Sequence, residues 1–292
     1  NAKNRIAGKK LNVNGYTITN DLVSATISDT TGELTSFVFK GEEMLTSPIR
    51  LDLFRAPTDN DNRDRFGSKH WYAAGLDSLT QQVKDIKVTG TGNNRVVETT
   101  VDLINSKNVK TGTSSFIYTI KKDGTLHIGA TYTPDTSVVK SLARVGITFA
   151  MPDQFYQVSY LGRGEHETYA DRKQSGRIGI YETTVPAMYH AYITPQATGN
   201  RTDTRWVNLS DEQGRRLYVN SIKPFEFSTL PYSDRVIDNA THLNYLVEDG
   251  TVTVHLDAVQ SGVGTATCGP GVQESYRVPL KTHTFEFTLQ PR

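Results

Sequence analysis

The chain has 292 residues, with 32 Lys and Arg against 31 Asp and Glu, for a formal net charge of +1. That balance excludes the broad basic footprint of a nucleic-acid binder, and no run reaches the roughly 18 apolar residues of a membrane-spanning helix. A single cysteine, Cys268, excludes an internal disulfide and a zinc site built on paired cysteines. Hydrophobic residues make up 36%, enough for a sizeable core, and the length suits one large β domain spanning residues 1–292. Asn1-Ala2 reads as a tag remnant and the chain as a fragment, so a signal for cytoplasm or periplasm would lie upstream.

Taken in order, the segments read as β almost throughout. Residues 16–19, 96–101, 116–120, 126–132, 216–219, 225–227, 252–256 and 284–289 alternate or are rich in β-branched and aromatic residues. Turn signals stand at Thr31-Gly32, Asp123-Gly124, Gln213-Gly214 and Asp249-Gly250. Strands and turns at this spacing predict an antiparallel sandwich rather than alternating βα units. Helix is scarce. Residues 71–82 form the best candidate, with Trp71, Leu76 and Leu79 facing a core, and a short turn is expected near residues 233–241.

Four segments crowd polar residues, Gly and Pro together. The first holds Arg55, Asp59, Asn60, Asp61, Asn62 and Arg63, a solvated turn or a loop that touches a sugar or ion. It lacks the Gly and terminal Glu of a calcium-binding EF-hand. Residues 62–68, highly polar and containing Gly67, are expected to be mobile. The second segment gathers Arg163, His166, Glu167, Asp171 and Arg172. It is either an ion-paired loop holding its own shape or an acid–base group. The third carries Asn200, Arg201 and Asp203 before Trp206, groups able to bind sugar hydroxyls or to satisfy one another. The fourth runs from Gln260 to Gly271, Gly-rich and tightly bent, and contains Cys268. A lone cysteine with no base paired to it reads as a contact residue and not a nucleophile. His127 and His255 lie in strands and are expected to be packed or hydrogen-bonded rather than metal-bound.

The order of these motifs resembles the C-terminal, small-chain domain of family-2 β-galactosidases over residues 14–289. The family's Arg-Ala-Pro-x-Asp-Asn-Asp stands at residues 55–61. Its Gly-Arg-Gly-Pro-His-Glu-Asn-Tyr-Pro-Asp-Arg stands at 162–172, with Glu165, Thr168 and Ala170 as departures. Its Pro-Gln-Glu-Asn-Gly-Asn-Arg-Thr-Asp stands at 195–203, with Ala197 and Thr198 as departures. The motif Asp-x-x-Gln-x-Gly-x-Gly begins at Asp257.

The resemblance implies an all-β, large antiparallel supersandwich like that of galactose mutarotase. It also implies that the two hydrolytic glutamates lie on a TIM barrel outside this chain. The domain would then complete a β-galactoside pocket and pack on the catalytic portion within an oligomeric enzyme. Asp59, Asn60, Asp61, Asn62, Arg63 and Cys268 would lie near substrate, while Arg55, Arg163, His166, Glu167, Asn200, Arg201 and Asp203 would be structural or sugar-facing. No catalytic residue, metal or cofactor is expected within the fragment; Mg and Na ions would belong to the whole enzyme. Two other readings are a mutarotase-like aldose epimerase using His166 and Glu167, and a stand-alone carbohydrate-binding module.

Overall fold

The computed structural model describes residues 8–265 and 271–292. The strands are β1 (Asn12–Asn14), β2 (Thr17–Thr19), β3 (Val23–Ile27), β4 (Leu34–Phe39), β5 (Glu42–Glu43), β6 (Ser47–Asp52), β7 (Thr80–Thr91), β8 (Asn94–Ile104) and β9 (Lys110–Lys121). They continue as β10 (Leu126–Pro134), β11 (Arg144–Pro152), β12 (Gln157–Gly164), β13 (Arg177–Thr184), β14 (Arg201–Ser210), β15 (Arg216–Leu230), β16 (Thr251–Gln260) and β17 (His283–Pro291). The helices are α1 (Ser68–Ala74), α2 (Val185–Met188) and α3 (Asp234–Asn239).

All strand pairs are antiparallel, as the alternating sequence predicts. Strands β1 to β5 form a meander that β4 joins to β6. A long curled sheet runs β7-β8-β9-β10-β17-β15-β14-β12-β13. A second runs β6-β11-β16-β15-β14. Strand β15 serves both: residues 217–220 pair with β17 and residues 226–230 with β16. The sequence predicts two strands here, and the structure has one strand that changes partners. Pro224, which has no N–H to give a ladder, stands at the changeover, beside the exposed Ile222.

The expected helix over residues 71–82 is corrected. Helix α1 covers Ser68–Ala74 and stops at Gly75, whose φ of 67° reverses the chain and whose N–H caps the carbonyls of Trp71 and Tyr72. Residues Leu76–Ser78 make one 3-10 turn, and Thr80 opens β7 against β8. Trp71 and Leu76 are buried as predicted. What wins from Thr80 on is ladder pairing along the whole of β8, which a short helix beyond a left-handed glycine cannot match. The turn near residues 233–241 is α3, with Ser233 as its N-cap.

Strand β16 explains how the second sheet positions chemistry. Val252, Val254 and Leu256 join the apolar core, while Thr253, His255 and Asp257 alternate to the other face and are buried as well. Register carries that polar face across the sheet. Asp52, Gly146, Asp257 and Glu226 stand in one cross-strand row, and Arg50, Thr148, His255 and Ser228 in the next. Three carboxylates in one row repel each other. A bulge at Val145/Gly146 accompanies the entry of Arg144, whose guanidinium lies among them. Gly146 leaves the space they need, because a Cβ there would stand 2.2 Å from the Leu256 carbonyl oxygen and 2.5 Å from Asp257 Oδ1.

Candidate functional site: four loops tied into one face

The four polar segments, far apart in sequence, meet. Arg55 is fully buried and uses all five of its N–H donors. Nε and Nη2 give to Asp61 at 3.0 and 2.8 Å, Nη1 gives to Gln260 Oε1 and the Ser261 carbonyl at 3.1 and 2.7 Å, and Nη2 also gives to the Gly262 carbonyl at 2.8 Å. Burial works against the guanidinium's charge, but Asp61 outweighs it and holds the Arg55 pKa above its ordinary value. Asp61 also accepts from the Thr58 N–H at 2.9 Å, so this acidic side chain fixes its own turn. Asn60 donates to the Val263 carbonyl at 2.7 Å, and Asp171 accepts from the Val263 and Gly264 amides at 3.0 and 2.9 Å. The first, second and fourth segments are thereby locked together.

Glu167 ties in the third. Its carboxylate accepts from Thr198 Oγ1 at 2.8 Å, from the Gly199 N–H at 2.9 Å, and from Tyr192 and Arg172. Burial alone would raise its pKa; these donors win and hold it below the usual range, so Glu167 is a charged anchor rather than a proton donor. His166 lines the same cleft as Glu167 but is exposed and hydrogen-bonded to Ser175 at 2.8 Å. Among the described residues no hydrogen bond joins the two neighbours, and each is held by other partners. Asn200 donates to the Thr168 carbonyl at 2.9 Å and to Glu226 at 2.6 Å. Arg201 is buried and donates to the Tyr160 hydroxyl at 3.0 Å. Arg163 and Lys173 both pair with Asp203, which they hold below the ordinary carboxylate range against burial.

The outward groups of this face are fewer. Asp59, Asn62 and Arg63 are exposed, and Asn60 is half-buried. Residues 62–68, for which mobility is expected, are wound into turns: the Arg63 and Asp64 amides reach the Asn60 carbonyl and the Ser68 amide reaches that of Asp61. Asp64 accepts from the Val272 N–H at 2.9 Å. Cys268 lies outside the described residues.

Sequence reasoning passed over a second polar cluster next to the first. Asp52 Oδ2 accepts from Arg144 Nη1 at 3.1 Å and lies 2.7 Å from His255 Nδ1, so His255 is hydrogen-bonded as its strand position predicts. Burial would raise Asp52, but Arg144 and His255 overcome it and bring it to about 2. Asp257 and Glu226 go the other way, chiefly through burial, Glu226 to about 7. The Gln260 amide joins the clusters, its oxygen on Arg55 and its nitrogen on Asp257 at 3.0 Å. Among the described residues, Asp52, Asp234 and His255 have metal-ligand spacing, their ligand atoms within 4.8 Å of one another. Arg144 Nη1 stands 3.1 Å from Asp52 and 4.0 Å from Asp234, so a guanidinium already supplies the positive charge and the set does not fit a divalent ion. The polar half of β16 carries the one signal that could have revealed this cluster. Thr253, His255 and Asp257 alternate as solvent-facing residues do, and only the fold buries them.

Residues 19–289 match the β-galactosidase small-chain family. A β-galactosidase of Priestia megaterium is 29% identical over 94% of this chain and 26% of its own length. One of Vibrio cholerae is 33% identical over 80% of this chain and 23% of its own. The chain thus spans about a quarter of the length of these relatives. Among solved structures, an aldose 1-epimerase homologue of Escherichia coli K12 superimposes with a TM-score of 0.50 at 11% identity, covering 95% of this chain and 98% of that one. A GalM/aldose epimerase homologue of C. elegans gives 0.50 at 10% identity, covering 98% and 99%. That likeness establishes a shared mutarotase-like antiparallel fold, and the match over nearly the whole sequence establishes that this chain belongs to the β-galactosidase small-chain family.

Proposed function

We propose that this chain is a non-catalytic domain of a larger β-galactosidase, where it completes the galactoside pocket beside a catalytic barrel carried elsewhere in the polypeptide. The convergence of four distant loops carries the reading, because their inward groups are spent on holding one face. Retaining glycoside hydrolysis needs two carboxyl groups about 5–5.5 Å apart, one protonated and one free to attack. Three of the carboxylates these loops offer are otherwise engaged: Asp61 by Arg55, Asp171 by two amides, Glu167 by four donors. Asp59, Arg63 and the amide nitrogen of Asn62, whose Oδ1 accepts from the Ser68 hydroxyl at 2.7 Å, are assigned to sugar hydroxyls, and Cys268 is assigned a substrate contact.

Ile178, Ile180 and Ile193, at 49%, 69% and 93% exposure, stand near the second loop and suit packing against the rest of the enzyme. Mg and Na ions belong to the whole enzyme in this reading. In the assay that tests it, the purified chain leaves a chromogenic β-galactoside intact, and adding the missing catalytic portion in trans gives turnover. Turnover by the chain alone, or two folded pieces that never associate, overturns the reading.

A further inference from the structure

A cavity of about 790 Å³, within the range of small-molecule sites, opens where β15 leaves β17 to join β16, and no residue of the four loops lines it. Topology creates it. Strand β17 pairs with β15 only from Thr288 onward, so among the described residues 283–287 keep β10 on one side and no strand on the other. Residues 221–224 of β15 stand against the single residue Arg205 of β14, and Pro224 has no N–H with which to rejoin a ladder. The sheet face beside this notch is dented. Ile117, Gly129 and Glu286 form one cross-strand row of β9, β10 and β17, and Gly129 brings no side chain to it. The polar groups around the dent engage one another. His127 Nδ1 lies 3.1 Å from Thr288 Oγ1 and its Nε2 3.3 Å from Glu286, while the Thr131 and Thr284 hydroxyls are 3.2 Å apart.

Ile117 and Ile222, at 46% and 86% exposure, line the cavity, and Pro224, Ala258, Val259 and Pro279 extend its apolar surface. Apolar side chains left in water around a concave site mark a place for a ligand. The charged lining is unbalanced: Lys223 and Lys281 stand against Glu286, which already faces His127. Among the described residues neither lysine has an ion-pair partner. A cation would be repelled by both, and a neutral apolar molecule would leave both unused. An apolar body with an acidic head answers the two halves of the lining together. Gly129 selects the shape of that body, because backbone bare of a side chain admits a flat ring lying on the strand.

We propose that this cavity binds a small aromatic anion, a flat ring system carrying one carboxylate or sulfonate. Its rings lie over Gly129 against Ile117 and Ile222, and its acidic group meets Lys223 and Lys281. Bound there, the ligand bridges the free edge of β17 and the changeover of β15. The site takes no part in glycoside chemistry and is independent of the function proposed above.

The test titrates the chain with anilinonaphthalene sulfonate, whose fluorescence rises on leaving water, and with phenylnaphthylamine, the same ring system without the acid. The sulfonate should bind saturably, once per chain, and more tightly than the amine. Gly129→Leu fills the dent and should abolish binding of both. The strand accepts that side chain, since a Cβ at 129 meets only the Ile117 Cβ within 4 Å, at 3.8 Å. Lys223→Gln with Lys281→Gln, both exposed, should weaken the sulfonate by about 10-fold or more, the scale of lost charged hydrogen bonds, and leave the amine unchanged. Ile180→Asp, on the exposed patch of β13, should alter neither affinity. Circular dichroism establishes that each protein is folded, and should Gly129→Leu unfold, the lysine pair decides. The proposal is overturned by a folded chain with no saturable sulfonate site, or by full sulfonate affinity in folded Gly129→Leu or in the lysine double variant. Loss of binding in folded Ile180→Asp overturns it as well, by moving the site to β13.

Discussion

Arg55 and Arg144 are both buried arginines next to carboxylates, linked in space through Gln260 and Asp257, yet they are used differently. Arg55 has every donor filled, three of its five bonds going to groups on the fourth loop. Among the described residues the Arg144 guanidinium has one hydrogen bond, to Asp52, with Asp234 and Asp257 at 4.0 and 3.8 Å. Its Nε and Asp257 Oδ1 are buried without a partner among the described residues. A saturated guanidinium fixes geometry, because each donor lost leaves a buried acceptor unpaired. An unsaturated one supplies charge without fixing position, and such a cluster shows in shifted proton affinities instead. Hence the loop carboxylate Glu167 is held low by its donors, while Asp257 and Glu226 are pushed up by burial.

Arg55→Lys is the sharpest way to break this comparison. Lysine cannot reproduce a five-donor fork, and Asp61 would keep an ill-paired buried charge. Denaturant unfolding should show a loss of about 3–5 kcal/mol, the cost of breaking a buried pair; a loss below about 1 kcal/mol would mean that the network does not hold the loops.

Glu226→Gln probes the other cluster. With its pKa raised from 4.5 to about 7, Glu226 contributes stability that is fully present below pH 4.5 and lost as pH rises through about 7. Glutamine keeps an acceptor for Asn200 and carries no charge. The variant should therefore lose stability less steeply between pH 5 and 8, standing about 1–3 kcal/mol above the parent at pH 8 and near it at pH 5. Parallel profiles would remove the contrast. Asp52 runs the opposite way, its contribution present above pH 3.8 and lost as pH falls toward about 2.

The smallest effect belongs to the exposed rim. Asn62→Ala removes the acceptor that the Ser68 hydroxyl reaches at 2.7 Å and should lower unfolding free energy by about 0.5–1.5 kcal/mol, the net worth of one hydrogen bond. In the complete enzyme it should raise KM with kcat nearly unchanged if Asn62 meets substrate. A large loss of stability would place Asn62 with the saturated loops instead.

The sequence determined by itself that this is an antiparallel β protein, because alternation and turn residues act over a few neighbours. Strand-like segments became β8, β9, β10, β16 and β17, and the marked turns lie between elements. It also determined which four segments are unusual. It misjudged what depends on distant partners. Residues 80–82 look helical in isolation and are a strand because β8 lies beside them; residues 216–230 look like two strands and are one because β17 gives way to β16. For the candidate site, the sequence located Arg55, Glu167 and Asn200 but not their work, since Arg55 meets partners about 205 residues away. It missed Asp52, Arg144 and Glu226, which no local pattern sets apart. Only register across β6, β11, β16 and β15 assembles that row, and only burial of a polar strand face turns ordinary surface residues into groups with shifted proton affinities.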